Sequence, residues 1–322
     1  MSPAPDRPWD VLVVGDANPD LVLRGDVSPR FGQEEQLLTG ADLVLGGSAA
    51  ITACGAARLG IRTTLCACVG DDMFGGLVRL ALGERGVGTV HLIASRSGGT
   101  GVSVVLSGTE DRAILTFPGV IPELRADDVD DALLASVRHL HVSSFFLLPA
   151  VAAGAAELFG RAHRLGVSTS LDTNWDPAGQ WSGVRDVLRH TDVLLPNIGE
   201  LLALTGRPVD EPDPIRRAAA IEAAALEIRA LGPLLAVKAG ALGGIGWGPN
   251  GRVSAPTVPV DVVDTTGAGD GFVAGFLAAT LRGLPFERAL EWASAAGSLS
   301  TRAAGGTTAQ PTVAELEAVL KS

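Results

Sequence analysis

Residues 264–277 read Asp-Thr-Thr-Gly-Ala-Gly-Asp-Gly-Phe-Val-Ala-Gly-Phe-Leu. An apolar, strand-like run from Val258 to Val263 comes before them. Behind them Phe272, Val273, Phe276, Leu277 and Leu281 recur at helical spacing. The pattern predicts a tight glycine-rich turn opening onto a helix. Such a turn directs several backbone N–H groups outward at the positive end of the helix dipole, which suits an anion. Asp270 at that turn would repel an anion, so it makes sense as a base placed beside one. An anion cradle with an adjacent base is what phosphoryl transfer needs.

The remaining chain alternates strand and helix patterns. Val11–Gly15 and Thr63–Val69 are apolar runs of the kind found in buried parallel strands. Gly46-Gly47-Ser48 opens a small-residue helix that Gly60 stops, and Gly70 to Gly75 opens a second one reaching Gly86. Helical patterns fall at 126–137, 150–165, 182–190, 197–206 and 213–231, and strand patterns at 138–143, 168–172, 192–195 and 233–239. This alternation implies βαβ units and a largely parallel sheet. Residues 21–45 read as irregular strands. Val102–Ser107 and Arg112–Phe117 read as a hairpin turning at Gly108-Thr109-Glu110-Asp111.

Polar clusters sit where the first and later strands end, the edge at which α/β proteins bind ligands. Asn18 and Asp20 follow the first strand, where a dinucleotide fold would carry three glycines; only Gly15 is present. Asp172, Asn174 and Asp176 follow the 168–172 strand. Asn197 and Glu200, three apart at a helix start, share one face; that spacing is also a capping box. Asp71 and Asp72 are read as acids at a helix N-terminus.

The net charge of −11 argues against nucleic-acid and anionic-membrane partners. The three cysteines, Cys54, Cys66 and Cys68, fit neither a disulfide framework nor a zinc site, and the five histidines show no metal spacing. No signal peptide or membrane span is read, so a cytoplasmic protein is expected. P-loop and nucleophile-elbow motifs are absent.

The 264–272 run, with these clusters, resembles the signature of the PfkB/ribokinase family of sugar and nucleoside kinases. The resemblance implies a ribokinase-like three-layer α/β/α fold in one domain over 1–322, with a β-sheet lid from about 18–45 and 98–120. It implies that Gly267, Ala268 and Gly269 form an anion hole and that Asp270 deprotonates the acceptor. Asn18, Asp20, Gly46, Gly47, Ser48, Asp172 and Asn174 would bind the acceptor, with Thr100, Gly101, Phe117 and Pro118 near it. Lys238, Gly240, Thr265, Thr266, Gly267 and Gly269 would bind ATP, with 295–308 completing the adenine pocket. Asn197 and Glu200 would hold Mg²⁺ through water, potassium would be a further cofactor, and the lid would pair two subunits.

The acceptor end departs from the family pattern. Ile51 and Ile121 stand where amides are expected, and Asp176 where sugar-acid kinases carry Arg. An acid there would repel an anionic acceptor, so a neutral sugar is expected. A nucleoside or vitamin kinase of the same fold, or a catalytically silent sugar- or nucleotide-binding regulator, are the alternatives.

Overall fold

The computed structural model describes residues 7–108 and 112–321, with the Arg112 side chain excepted. The chain starts with β1 (Val11–Val14) and passes into two strands of a separate small sheet, β2 (Asn18–Arg24) and β3 (Gly40–Gly46). It returns through α1 (Ser48–Arg58), β4 (Thr63–Gly70), α2 (Met73–Glu84) and β5 (Leu92–Ser95). The small sheet is completed by β6 (Val102–Ser107) and β7 (Arg112–Phe117). Then come α3 (Asp131–Ala135), β8 (His139–Val142), α4 (Pro149–Arg164), β9 (Ser168–Leu171), α5 (Val184–Leu188) and β10 (Val193–Leu194). The last third carries α6 (Ile198–Leu204), α7 (Pro214–Arg229), β11 (Leu234–Lys238), β12 (Gly244–Gly248), β13 (Gly251–Ala255), α8 (Ala268–Leu281), α9 (Phe286–Ser300) and α10 (Val313–Lys321).

The large sheet has the order β13-β12-β11-β10-β9-β8-β1-β4-β5. It is parallel from β11 through β5, and β12 and β13 add an antiparallel edge. The strands alternate between two cores. Val11 and Val13 face α1, α8 and α9, while Leu12 and Val14 face α3 to α7. Burial on both faces is why these strands read as continuous apolar runs. The three-layer α/β/α expectation therefore holds. The antiparallel edge escaped the sequence reading because Gly244, Gly246 and Gly248 weaken a strand pattern.

Strand order reverses at β1, whose neighbours are β4 on one side and β8 on the other. Ligand crevices form at such a reversal, outside the carboxyl ends of the strands. The small sheet, ordered β3-β2-β6-β7, stands at this edge. Residues 25–39 between β2 and β3 contain no strand, and Thr109–Asp111 of the expected hairpin turn lie outside the described residues.

Val258–Val263 does not form a strand. Pro256 and Pro259 deny it donors for a sheet ladder, and it runs as an extended wall of a cavity described below. His139, His141 and the cysteines behave as core residues. His139 and His141 are buried and hydrogen-bonded to Ser168 and Ser170, and burial drives the His139 pKa down to about 4, so it stays neutral. All three cysteines are buried and free.

Ile51 and Ile121 are also core residues. Ile51 lies against the Gly306 backbone so closely that a side chain at 306 would overlap it, and Ile121 fills the space beside Gly101 in the same way. An amide at either position would have to find its partners inside an apolar contact. We expect Ile51→Asn to lower stability by about 2–4 kcal/mol, measured as a fall in the urea midpoint at unchanged slope. An unchanged midpoint would remove Ile51 from the core.

Candidate active site

The site gathers at the carboxyl ends of five adjacent parallel strands. Asp16 follows β1, Ser143 and Ser144 follow β8, Asp172 and Asn174 follow β9, Asn197 and Glu200 follow β10, and Lys238 ends β11. The first turn of α8 faces this row. Gly267 takes a left-handed φ of 73° and its α-carbon rests on the backbone of Gly306, so a side chain would be strained and would clash. Asp264 braces the turn by accepting from the Thr266 N–H and hydroxyl and from the Gly305 N–H.

Asp270 sits in the first turn of α8, where the Ser48 hydroxyl donates to its Oδ1. Burial raises its pKa to about 7; the Ser48 hydrogen bond and Lys238 pull it down, while Asp172 and Asp16 add to the rise. A carboxylate so placed takes up a proton near neutrality, which is what a general base needs.

Lys238 and Asp172 form a buried ion pair at 2.7 Å, their side chains 12% and 0% exposed. Burial works against the Lys238 charge, but Asp172, Glu200 and Asp270 outweigh it and hold the ammonium above its usual pKa. The sequence reading put Asp172 with the acceptor and Lys238 with the nucleotide; the fold joins them. Lys238 thus stands between the acids and a cavity of about 450 Å³. That cavity is lined by Gly240, Thr265, Ala268, Gly269, Gly297 and Ser298 among others, with Val258, Val260 and Phe272 giving it an apolar wall. Thr266 and Gly267 are not among its lining residues.

On the other side of Asp270 lies the small sheet. Asp20 takes a hydrogen bond from Asn18 at 2.8 Å, and its pKa rises to about 7 through burial and the Asp16 charge, against the hydrogen bonds from Asn18 and Ser103. Gly46 packs on the Asp20 carboxylate, where any side chain would overlap it. Gly47 has a φ of 86° and leads into α1. Asp16, which sequence reasoning missed, accepts from the Ser48 and Ala49 N–H groups and from the Ser144 hydroxyl. Its signal was an acid two residues beyond β1; its partners lie in other elements.

Asn197 and Glu200 form a complete capping box. Asn197 Oδ1 accepts from the Glu200 N–H, while the Glu200 oxygens accept from the Asn197 backbone and side-chain N–H groups. Burial raises the Glu200 pKa, Lys238 opposes it and Asp172 adds to it. No group of three or more His, Cys, Asp or Glu with metal-holding geometry occurs among the described residues. The pair is thus not a direct ligand cage.

Asp176 turns away from this edge. It accepts from the N–H groups of Ala178, Gln180 and Trp181 at 2.7–2.9 Å, folding its own loop. Thr100 is 2% exposed, with its hydroxyl bound to Asp72, the N-cap of α2. It supports the start of α2 rather than facing an acceptor.

The model of the pfkB family carbohydrate kinases matches residues 10–313. The chain is similar to an ATP-dependent ribose-1-phosphate kinase of Halopiger xanaduensis, 33% identical over 96% of this chain and 97% of that protein. It is 32% identical to a ribokinase of Arabidopsis thaliana, over 97% of this chain and 80% of the relative. Its fold matches a solved structure of Arabidopsis thaliana ribokinase complexed with ribose and ATP, with a TM-score of 0.84 and 26% identity, over 98% of this chain and 99% of that one.

The raised pKa of Asp270 has a sign that stability measurements can read. Its value is about 7 in the fold against 3.8 for a free side chain. Between these values the native state holds a proton that the unfolded chain has released, so stability falls as pH rises through that window. Asp20 contributes with the same sign. Asp270→Asn removes the titration. Its melting temperature should gain on the wild type as pH goes from about 4 to about 8. A gap independent of pH would exclude the raised pKa.

Proposed function

This chain belongs to the PfkB family of carbohydrate kinases and is a phosphotransferase with an alcohol group as acceptor; on that premise we propose that it transfers the γ-phosphoryl group of ATP to a hydroxyl of a neutral sugar. The observation that carries this reading is the position of Asp270. It lies in the first turn of α8, between the cavity-lining Gly269 and the hydroxyl of Ser48.

Asp270 takes the acceptor's proton as the phosphoryl group moves. The N–H groups of Gly267, Gly269 and Asp270, at the positive end of α8, stabilise the charge in transfer, while the Ala268 N–H, expected to join them, is spent on the Thr265 carbonyl at 3.2 Å and closes the turn instead. The cavity beside Lys238 suits a purine, its apolar wall offering a flat surface and its glycines a close approach. Lys238 supplies positive charge toward the phosphates. Asn197 and Glu200 would meet Mg²⁺ through water, where the ion would neutralise phosphate charge. A potassium requirement would trace to the turn at 305–308, which Asp264 ties to the anion loop.

Asn18, Asp20, Gly46, Gly47, Ser48 and Asn174 form the acceptor side. Asp16, Asp20, Asp172 and Asp270 gather there, and Lys238 is already paired with Asp172. This excess of acids favours neutral hydroxyls over an anionic sugar. The small sheet, with residues from about 18–45 and 98–120, acts as the lid and excludes water. Its strand register brings Leu43, Leu21, Val104 and Leu115 into one row, flanked by a row of Ala41, Leu23, Leu106 and Ala113, with Phe117 beyond. Leu115 and Phe117 are 59% and 61% exposed. An apolar face of this extent on a lid supports pairing with a second copy. No helix among the described residues is long and apolar enough to cross a membrane. We place the enzyme in the cytoplasm, where ATP is available, with neither nucleic acid nor membrane as partner.

An ADP-release assay over ribose, fructose, adenosine, ribose 1-phosphate and 2-keto-3-deoxygluconate tests the acceptor. Neutral sugars should lead, and preferential turnover of either anionic sugar would sink that assignment. With the best acceptor, kcat/KM should rise with pH through about 7, as Asp270 loses its proton. Asp270→Asn should cut turnover by about 10²-fold or more while leaving acceptor binding by calorimetry near the wild type. Leu115→Lys should shift the sedimentation coefficient from dimer to monomer; a wild-type protein that sediments as a monomer removes the pairing.

A further inference from the structure

We propose that Ser48 and Asn174 form a one-way hydrogen-bond relay that aims Asp270 and leaves its second carboxylate oxygen for the acceptor. The inference rests on the reading of Asp270 as the base, and it follows from counting donors and acceptors. The Ser144 N–H can only donate, and it donates to Asn174 Oδ1 at 2.8 Å. That fixes the orientation of the amide, so Asn174 Nδ2 faces Ser48 and donates to its Oγ at 3.0 Å. The Ser143 hydroxyl reaches the same Oγ at 3.2 Å. The Ser143 hydroxyl also lies 3.4 Å from Asn174 Oδ1, so the fixed donor to Ser48 is the Asn174 amide, and the Ser48 hydroxyl directs its own hydrogen to the carboxylate oxygen Asp270 Oδ1.

The relay runs from the end of β8, through the end of β9 and the start of α1, to the start of α8. Two of its members hold backbone conformations that non-glycine residues rarely adopt. Ser144 has a φ of 57° and Asn174 a φ of 54°, and strain of this kind persists where the surroundings enforce it. Asp16 holds both ends of the frame, accepting from the Ser144 hydroxyl and from the first N–H groups of α1. Ser48 and Asn174 are thus positioning residues that act through Asp270. The charged groups facing Asp270 are Asp172 from the end of β9, Lys238 from β11 and Asp16 from the end of β1. None of the three is bonded to the Ser48 side chain, since Asp16 takes only the Ser48 backbone N–H and Asp172 pairs with Lys238, so a shift on changing Ser48 reports the relay.

The test needs no known acceptor. In the full chain labelled with ¹³Cγ-aspartate, the Asp270 resonance is assigned by its absence in Asp270→Asn and titrated. The hydrogen bond from Ser48 favours the carboxylate, so Ser48→Ala should move the midpoint upward by about one pH unit, a tenfold change in proton affinity. Ser48→Cys, of similar size but a weak donor, should move it the same way, and Ser48→Thr should restore it. In the ADP-release assay with ribose, Ser48→Ala should lower kcat about tenfold with the KM for ATP unchanged, and Ser48→Thr should recover it. An Asp270 midpoint that stays put in both Ser48→Ala and Ser48→Cys overturns the relay. Turnover surviving in Asp270→Asn overturns the base assignment instead, and leaves the titration result standing.

Discussion

The site depends on one backbone contact. The first turn of α8 reaches the row of strand ends because Gly267, in a left-handed conformation, lies directly on Gly306. Ile51 fills the space where a side chain at Gly306 would stand. The turn is therefore clamped between its own helix and the apolar contact of α1, and Asp264 ties it across to Gly305. Moving any of these by the width of a methyl group would shift the N–H groups of α8 and Asp270 together. Catalytic geometry of this kind loses much of its effect with displacements of about 1 Å.

The second constraint is electrostatic. Asp16, Asp20, Asp172, Asp270 and Glu200 converge on one edge of the sheet, where Lys238 is the cation that Asp172, Glu200 and Asp270 share. Burial alone would neutralise most of such a cluster. The fold resolves the conflict by giving the acids different partners. Asp172 takes the ion pair, Glu200 closes the capping box, and Asp16 caps the start of α1. Asp270 and Asp20 are left with pKa values near neutrality, poised between charge states. The tension disfavours the folded state above neutral pH, in the range where the base is charged.

Much of the fold was legible because parallel strands buried on both faces and helices with apolar stripes leave periodic signals. The 264–270 loop was legible because its chemistry is local: glycines for the turn, a helix behind it, an acid within it. The antiparallel edge strands were missed because glycines hide their pattern. The 258–263 segment was misread because its valines alternate like a strand while its proline removes a ladder donor. Ile51, Ile121 and Asp176 looked like changes in acceptor chemistry. They are an apolar support for Gly306, a core contact beside Gly101, and a loop staple.

The sequence by itself determined the elements, their order and the loop that runs the chemistry, since these follow from residues close together along the chain. Tertiary structure decided which groups meet. Asp172 and Lys238 are 66 residues apart, and Ser48 and Asp270 are 222 apart. Neither pairing has a local pattern, because each depends on which strand lies beside which. Strand order is settled by the packing of helices on both faces of the sheet, and with it the partner of every buried charge.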